Sequence, residues 1–160
     1  MAADLLVAPL LRVAILQGLN PQQISEIARR AERILYRDGD VIAENGEEAD
    51  AAVLIVAGDA VRIAGPELSA PMEPVAPGSL IAEMAMLVET EHTSTVVARG
   101  PVKALRLTRP AMLEQLAEDP DLAEKLVATI SGRLHVLAAE LRLIDQTLAG
   151  SDGEAELAMV

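Results

Sequence analysis

Hydrophobic residues recur with helical spacing at both ends of this chain and with strand-like spacing in its middle. In residues 3–33, apolar positions three or four residues apart predict N-terminal helices. Residues 34–108 instead carry short β-prone runs separated by turn pairs such as Asn45-Gly46. Residues 109–149 return to helical spacing. This order predicts a mainly β protein whose strand-rich section has helices on both flanks.

The N-terminal section contains a helix start at Asn20-Pro21. Asn is a favourable helix cap, and Pro fits the first turn because the amide that it lacks would have no partner there. The helix is expected to run to about Arg33, and its solvated face is expected to carry Arg29, Arg30 and Arg33. Its buried stripe is expected to contain Ile24, Ile27, Ala28 and Ala31.

The middle section divides into short runs that are rich in apolar and β-branched residues. These runs are residues 41–43, 51–57, 60–64, 72–75, 93–98 and 102–108. Many short strands at this spacing are typical of an antiparallel sandwich or barrel rather than of a parallel sheet. Gly58-Asp59, between the second and third runs, is interpreted as a turn.

The last helix is expected to begin at Asp119-Pro120 and to end at residues 150–153, which leaves residues 151–160 as a frayed acidic tail. Its apolar residues alternate steps of four and three, which is the spacing of a heptad seam. The seam residues are Ile130, Leu134, Leu137, Leu141, Ile144 and Leu148. Such a seam on a terminal helix favours a homodimer formed through the first five of them, and packing on the helix's own domain is the alternative.

Composition limits both the core and the partners. The apolar fraction of 51% is enough for a core, but Tyr36 is the single aromatic residue, so the core is expected to consist of Leu, Ile, Val, Ala and Met. The formal net charge is −12, from 13 basic and 25 acidic residues. Binding to nucleic acid or to an anionic membrane needs clustered Lys and Arg, so we expect neither partner.

Other classes are disfavoured by missing features. The two histidines, His92 and His135, lie too far apart in sequence to form the ligand cluster of a metal site. The sequence has neither a Walker-type phosphate loop nor a Ser/His/Asp order, so we expect no enzyme and no metal. The lack of cysteine, of a signal peptide and of a membrane-spanning run suits a cytoplasmic protein.

Residues 77–97 are the candidate site for a ligand. They combine a Pro-Gly turn, a short apolar stretch that contains one acid, Glu83, and a Thr/Ser/Val run of strand character. A turn followed by one helical turn leaves backbone N–H groups without partners, and such groups bind anions. The pattern therefore indicates an anion site such as a phosphate site.

The order of these elements, together with four motifs, resembles the cyclic nucleotide-binding domain family over about residues 16–145. The motifs are Gly18-Leu19; Tyr36 with Gly39 and Val41-Ile42; Gly46 with Asp50 and Gly58; and Asp119-Pro120 with Arg133-Leu134. The resemblance implies an eight-stranded jelly roll (a double-stranded β-helix) in a single domain at 1–150, with cAMP or cGMP as ligand. It also implies a regulatory role, as in activator-type regulators, kinase regulatory subunits and gated channels.

The resemblance also implies which residues would bind the ligand. Glu83 stands where the family's acid accepts a hydrogen bond from the ribose 2′-hydroxyl, and the hydroxyl residues after His92 would donate to the phosphate or the base. The implied set is Ala82, Glu83, Met84, Ala85, His92, Thr93, Ser94 and Thr95. Two alternatives stay open, namely that Glu83 caps its own short helix and that His92 is a surface residue beside Glu91.

Three residues depart from the family pattern. Ala82 replaces a Gly, Glu91 replaces a Pro, and His92 replaces the Arg that would hold the phosphate. Arg offers a charged fork worth about 1.5–3 kcal/mol per bond, whereas a histidine has fewer donors and is mostly neutral at pH 7. Affinity for cAMP or cGMP is therefore expected to be weak or lost.

Two hypotheses follow from the sequence. One is a regulatory sensor that signals through its C-terminal helix and dimer. The alternative is a ligand-free dimeric module for protein–protein interaction on the same fold. No basic helix-turn-helix follows residue 150, so the output is expected to pass to another protein.

Overall fold

The computed structural model describes residues 7–63 and 72–159, with side chains up to residue 146 in the last helix. Residues 7–10 are helical, and short 3-10 turns lie at Ala14–Leu16 and Glu83–Met86. The longer helices are α1 (Pro21–Arg30), α2 (Arg109–Glu118) and α3 (Pro120–Met159). The chain divides into two units, Met1–Ala123 and Glu124–Val160.

Helix α1 begins where the sequence predicts. The side chain of Asn20 accepts a hydrogen bond from the amide of Gln23 at 2.8 Å, and the side chain of Gln23 accepts one from the amide of Asn20 at 3.0 Å. This reciprocal pair forms a capping box in which two otherwise unpaired donors are satisfied. The apolar stripe is also confirmed for Ile24, Ile27 and Ala28, which are buried.

The end of this helix and the surroundings of Arg30 differ from the prediction, whereas Arg29 is exposed as predicted. Helix α1 stops at Arg30 because the following residues, Glu32–Tyr36, form a strand. Arg30 is not simply solvated, since its Nε lies 2.7 Å from a carboxylate oxygen of Glu26 and it also pairs with Glu118. Hydrogen bonds from Arg29 and Arg30 lower the pKa of Glu26 to about 2.

The middle section is antiparallel throughout, which confirms the predicted jelly-roll-like β fold of roughly eight strands. Its strands are β1 (Glu32–Tyr36), β2 (Val41–Ala43), β3 (Glu48–Ala49), β4 (Ala51–Ile63), β5 (Met72–Val75), β6 (Leu80–Ile81), β7 (Thr90–Glu91) and β8 (Thr95–Thr108). The larger sheet has the order β1-β8-β4-β5, with β2 also on β8 and β6 also on β4. Strands β3 and β7 form a separate pair. Each of the two long strands therefore pairs with several short ones.

Gly58-Asp59 is not a turn, and the prediction of one is wrong. Strand β4 continues through it and stays paired with β8, but the register shifts on both sides of Ala57, as in a β-bulge. Gly58 has a φ of 95°, and a Cβ there would lie 2.2 Å from the carbonyl oxygen of Pro101. Glycine is needed at this position because the two strand backbones approach so closely.

The bulge changes which residues of β4 face the interior. Before the bulge, Val53 and Ile55 belong to the core cluster, whereas after it Ala60 does. The partners on β8 that belong to the cluster are Val96, Ala98, Val102 and Ala104. On β8 the core-facing residues are even-numbered on both sides of the bulge. On β4 they change from odd-numbered to even-numbered, so the bulge exchanges the two faces of β4 alone. As predicted, the core is aliphatic, and Tyr36 packs against it only in part.

Helix α3 does not end at residues 150–153 but continues to Met159, so the expected stop is wrong. Glycine lowers helix propensity by about 1 kcal/mol but does not forbid helical dihedrals. Within this helix, Leu134, Leu137, Leu141 and Ile144 are 52–64% exposed, and Ile130 is half-buried. Leu148 lies beyond the described side chains. Over the described residues no helix is both long and apolar enough to span a bilayer.

Candidate functional site

The candidate site begins at an unusual backbone position, Ala82. This residue follows β6 and adopts a left-handed conformation, with φ 55° and ψ 50°. Among the described residues it is the one non-glycine residue with a positive φ. The 3-10 turn Glu83–Met86 follows directly, and the amide of Ala85 donates to the carbonyl of Ala82 at 2.9 Å. The left-handed residue therefore turns the chain so that Glu83 and Met84 line an open groove.

The groove lies between β4, the 3-10 turn and the loop that joins β7 to β8. Its volume is about 420 Å³. Its lining residues are Arg62, Ile81, Ala82, Glu83, Met84, Thr90, Glu91, His92, Thr93 and Ser94. The lining thus combines one guanidinium, two carboxylates, an imidazole, several hydroxyl groups and an apolar wall.

Six of the eight residues expected to bind a ligand line this groove, and two do not. Ala85 belongs to the 3-10 turn but is fully buried, and its carbonyl accepts a hydrogen bond from Arg109 at 3.4 Å. The Thr95 hydroxyl accepts a hydrogen bond from the amide of Asn45 at 3.1 Å. Ala85 and Thr95 hold the chain around the groove without lining it, and a ligand contact at these two residues stays a prediction.

His92 is half-buried, and its backbone is held between two neighbours. The amide of Gly46 donates to the carbonyl of His92 at 2.8 Å, and the amide of His92 donates to the carbonyl of Glu47 at 2.9 Å. These bonds fix the start of the β7–β8 loop, and the imidazole lines the groove beside Glu91. The loop therefore brings a histidine and a carboxylate to the place where the family pattern has an arginine.

Arg62 is the groove residue that the sequence analysis missed. It lies on β4 after the bulge, directly opposite Val96 of β8 and Glu73 of β5. Its Nε is buried and has no hydrogen-bond partner, and the guanidinium forms no ion pair with a described residue. No local signal marks Arg62, because its inward side depends on the register shift at the bulge.

Arg109, at the start of α2, holds the backbone next to the groove without lining it. One of its terminal nitrogens donates to the carbonyl of Val88 at 2.8 Å and lies 3.3 Å from that of Ala49. It also reaches the carbonyl of Ala85, and the guanidinium lies 3.9 Å from Glu48. Arg109 therefore ties the segment after the 3-10 turn to the strand pair β3–β7.

The side chains that line the groove suit the binding of a small polar ligand. Within the described parts of the chain, no group of three His, Cys, Asp or Glu side chains could hold a metal ion. A carboxylate, several hydroxyl groups and a guanidinium whose buried Nε has no partner can together recognise a small polar anion with hydroxyl groups.

Comparison with known proteins identifies a family whose members are similar to this chain. The family model described as the cyclic nucleotide-binding domain matches residues 33–119. Over 115 residues the chain is 28% identical to a cAMP-dependent protein kinase regulatory subunit from Blastocladiella emersonii. That alignment covers 71% of this chain but only 28% of the subunit's length.

Solved structures show the same fold. A cyclic nucleotide-binding-like protein from Brucella abortus matches with a TM-score of 0.65 and 26% identity, over 70% of this chain and 97% of that one. The N-terminal domain of a transcriptional regulator from Streptomyces coelicolor A3(2) matches with a TM-score of 0.74. Its identity is 21%, and the match covers 86% of this chain and 95% of that one.

Proposed function

The chain belongs to the cyclic nucleotide-binding domain family, and from this premise we propose that it is a regulatory sensor whose affinity for cAMP and cGMP is weak or lost. It signals through its C-terminal helix and a homodimer, and it works in the cytoplasm without enzymatic activity or a metal. The observation that carries the proposal is the groove itself, where six of the expected residues meet around Glu83.

Weak affinity follows from the chemistry of the β7–β8 loop. His92 lines the groove where the family has a permanently charged arginine, and Glu91 places a carboxylate beside it. Loss of one or two charge-assisted hydrogen bonds, each worth about 1.5–3 kcal/mol, weakens binding by one to three orders of magnitude.

The exposed seam of α3 supports the homodimer and an output to another protein. Four apolar side chains, Leu134, Leu137, Leu141 and Ile144, repeat at heptad spacing and are more than half exposed. Isolated exposed apolar residues need no explanation, but a regular stripe on one helix marks an association surface. Two-fold pairing of such helices covers the stripe on both chains.

The same site supports a second candidate function, a ligand-free dimeric interaction module. The observation in its favour is the missing arginine at His92. In this alternative the fold and the helical seam are retained, while the groove has lost its ligand.

Calorimetric titration with cAMP and cGMP at pH 6 and pH 8 separates the two candidates. We expect dissociation constants in the high micromolar to millimolar range for the native protein and at least tenfold tighter binding for His92→Arg. His135→Arg makes the same change on an exposed residue outside the groove and should leave binding unchanged. If neither the native chain nor His92→Arg binds either nucleotide, the interaction module is the better description.

The homodimer is tested separately by sedimentation. Leu137→Glu places a charge in the seam and should shift the protein from dimer to monomer, whereas Val136→Glu changes an equally exposed neighbour off the seam and should not. A native protein that sediments as a monomer at all concentrations would contradict the dimer.

A further inference from the structure

We propose that Arg62 of strand β4, rather than His92, binds the anionic group of the groove's ligand. The ligand class is a small organic anion that carries one negative charge and hydroxyl groups, as in a phosphate diester. This inference rests on the proposed function in one respect, namely that the groove binds a ligand.

The position of Arg62 is the first argument. Paired residues on neighbouring strands point to the same side of a sheet, and Arg62 pairs directly with Val96, a fully buried core residue. Arg62 is also two residues from the buried core residue Ala60, so the two side chains share a face. The guanidinium therefore extends from the interior side of the roll into the groove.

The missing partner is the second argument. A charged group on an interior face is costly unless it is paired and hydrogen-bonded, and such groups are almost always satisfied in native proteins. The Nε of Arg62 is buried without a hydrogen-bond partner, and Glu73, directly opposite on β5, forms no ion pair with it. A ligand anion supplies the missing acceptor, and a guanidinium offers two parallel donors that match two phosphate oxygens.

The charges around the groove select the ligand class. Arg62 is the single guanidinium of the lining, which also contains the carboxylates of Glu83 and Glu91 and the imidazole of His92. The two carboxylates repel a dianion such as a phosphate monoester more strongly than they repel a diester with a single negative charge. Hydroxyl groups on the ligand suit Glu83 as acceptor, with the hydroxyls of Thr93 and Ser94 nearby.

Calorimetry with cAMP as the probe compares the two candidate anchors. We expect Arg62→Met to weaken binding by about 10- to 100-fold, because one or two charge-assisted hydrogen bonds are lost. His92→Gln should stay within twofold of the native protein. Arg62→Lys keeps the charge but not the fork, so its affinity should be intermediate. Arg37→Met, an exposed arginine outside the groove, is the matched control. Equal affinity of Arg62→Met and native protein, or a greater loss with His92→Gln, overturns the proposal.

A second measurement keeps the proposal testable if cAMP does not bind at all. The thermal midpoint is measured with dimethyl phosphate, a monoanionic diester without sugar or base, against sodium chloride of equal ionic strength. We expect dimethyl phosphate to raise the midpoint of native protein and of His92→Gln but not that of Arg62→Met. This result with no nucleotide binding would refute the proposed nucleotide affinity while supporting the anion site. Equal midpoints for native protein in the two salts, or equal shifts in native protein and Arg62→Met, overturn the inference.

Discussion

Two arginines lie near residues 82–88, and their surroundings are opposite. Arg109 donates to the backbone carbonyls of Ala49, Ala85 and Val88 and lies near Glu48. Arg62, in the groove, has a buried Nε with no partner. The first side chain holds the fold together, whereas the second has donors that nothing in the described structure uses. The comparison shows that two arginines of equal charge differ in whether their N–H donors already have acceptors. An arginine with acceptors in the protein is structural, whereas one without them is available to a ligand.

The largest expected effect concerns the bulge that turns Arg62 inward. Gly58→Ala should lower the free energy of unfolding by about 3–5 kcal/mol, because the new Cβ would clash with the backbone of β8 and the positive φ disfavours it. Gly100→Ala is the control, since Gly100 has a similar φ but open space around it, and should cost about 1–2 kcal/mol. Urea denaturation measures both. Equal losses would mean that the close approach to Pro101 has no effect on stability.

The second-largest expected effect on stability is that of replacing Arg109, whose guanidinium has acceptors in the protein. Arg109→Met should lower the free energy of unfolding by about 2–3 kcal/mol, because the carbonyls of Ala49, Ala85 and Val88 lose a charged donor that they share. Arg106→Met removes a more exposed arginine that pairs with Glu32 and Asp50, and should cost about 0.5–1 kcal/mol. Chemical denaturation of the two variants tests the order, which would be contradicted by a smaller loss at Arg109.

Removal of the unpaired arginine should act in the opposite direction. Without ligand, Arg62→Met should raise the free energy of unfolding by about 1–2 kcal/mol, since a buried donor without an acceptor disappears and the methionine fills similar space. The thermal midpoint should rise by roughly 2–4 °C per kcal/mol. Arg37→Met should stay within about 0.5 kcal/mol of native, as expected for an exposed surface residue. A destabilised Arg62→Met would show that the guanidinium is as structural as that of Arg109.

The smallest expected effect lies at Ala82, the left-handed residue before the 3-10 turn of the groove. Ala82→Gly should stabilise the protein by about 0.5–1 kcal/mol, because glycine adopts the left-handed conformation without the Cβ penalty. Ala76→Gly, at a residue without positive φ, should instead destabilise slightly. A loss of stability in Ala82→Gly, measured by thermal denaturation, would mean that the methyl group packs well enough to offset its strain.

Much of the site could be predicted from the sequence because it depends on a continuous segment. Glu83, Met84, His92 and their neighbours lie within one stretch, so a local motif places them together. Thr95 and Ala85 belong to the same stretch, but their bonds to Asn45 and Arg109 depend on residues distant in sequence. Local pattern could not show that these two residues support the groove rather than line it.

The sequence by itself determined that a strand-rich section has helical sections on both flanks, that the core is aliphatic and which stretch carries the candidate site. These features follow from hydrophobic period, capping and turn residues, which act over a few neighbouring positions. Only the tertiary structure decided that β4 continues through Gly58 and that Arg62 faces inward. The physical reason is that the face of a strand residue depends on register, and the shift on β4 arises where it pairs with β8, about 40 residues away along the chain.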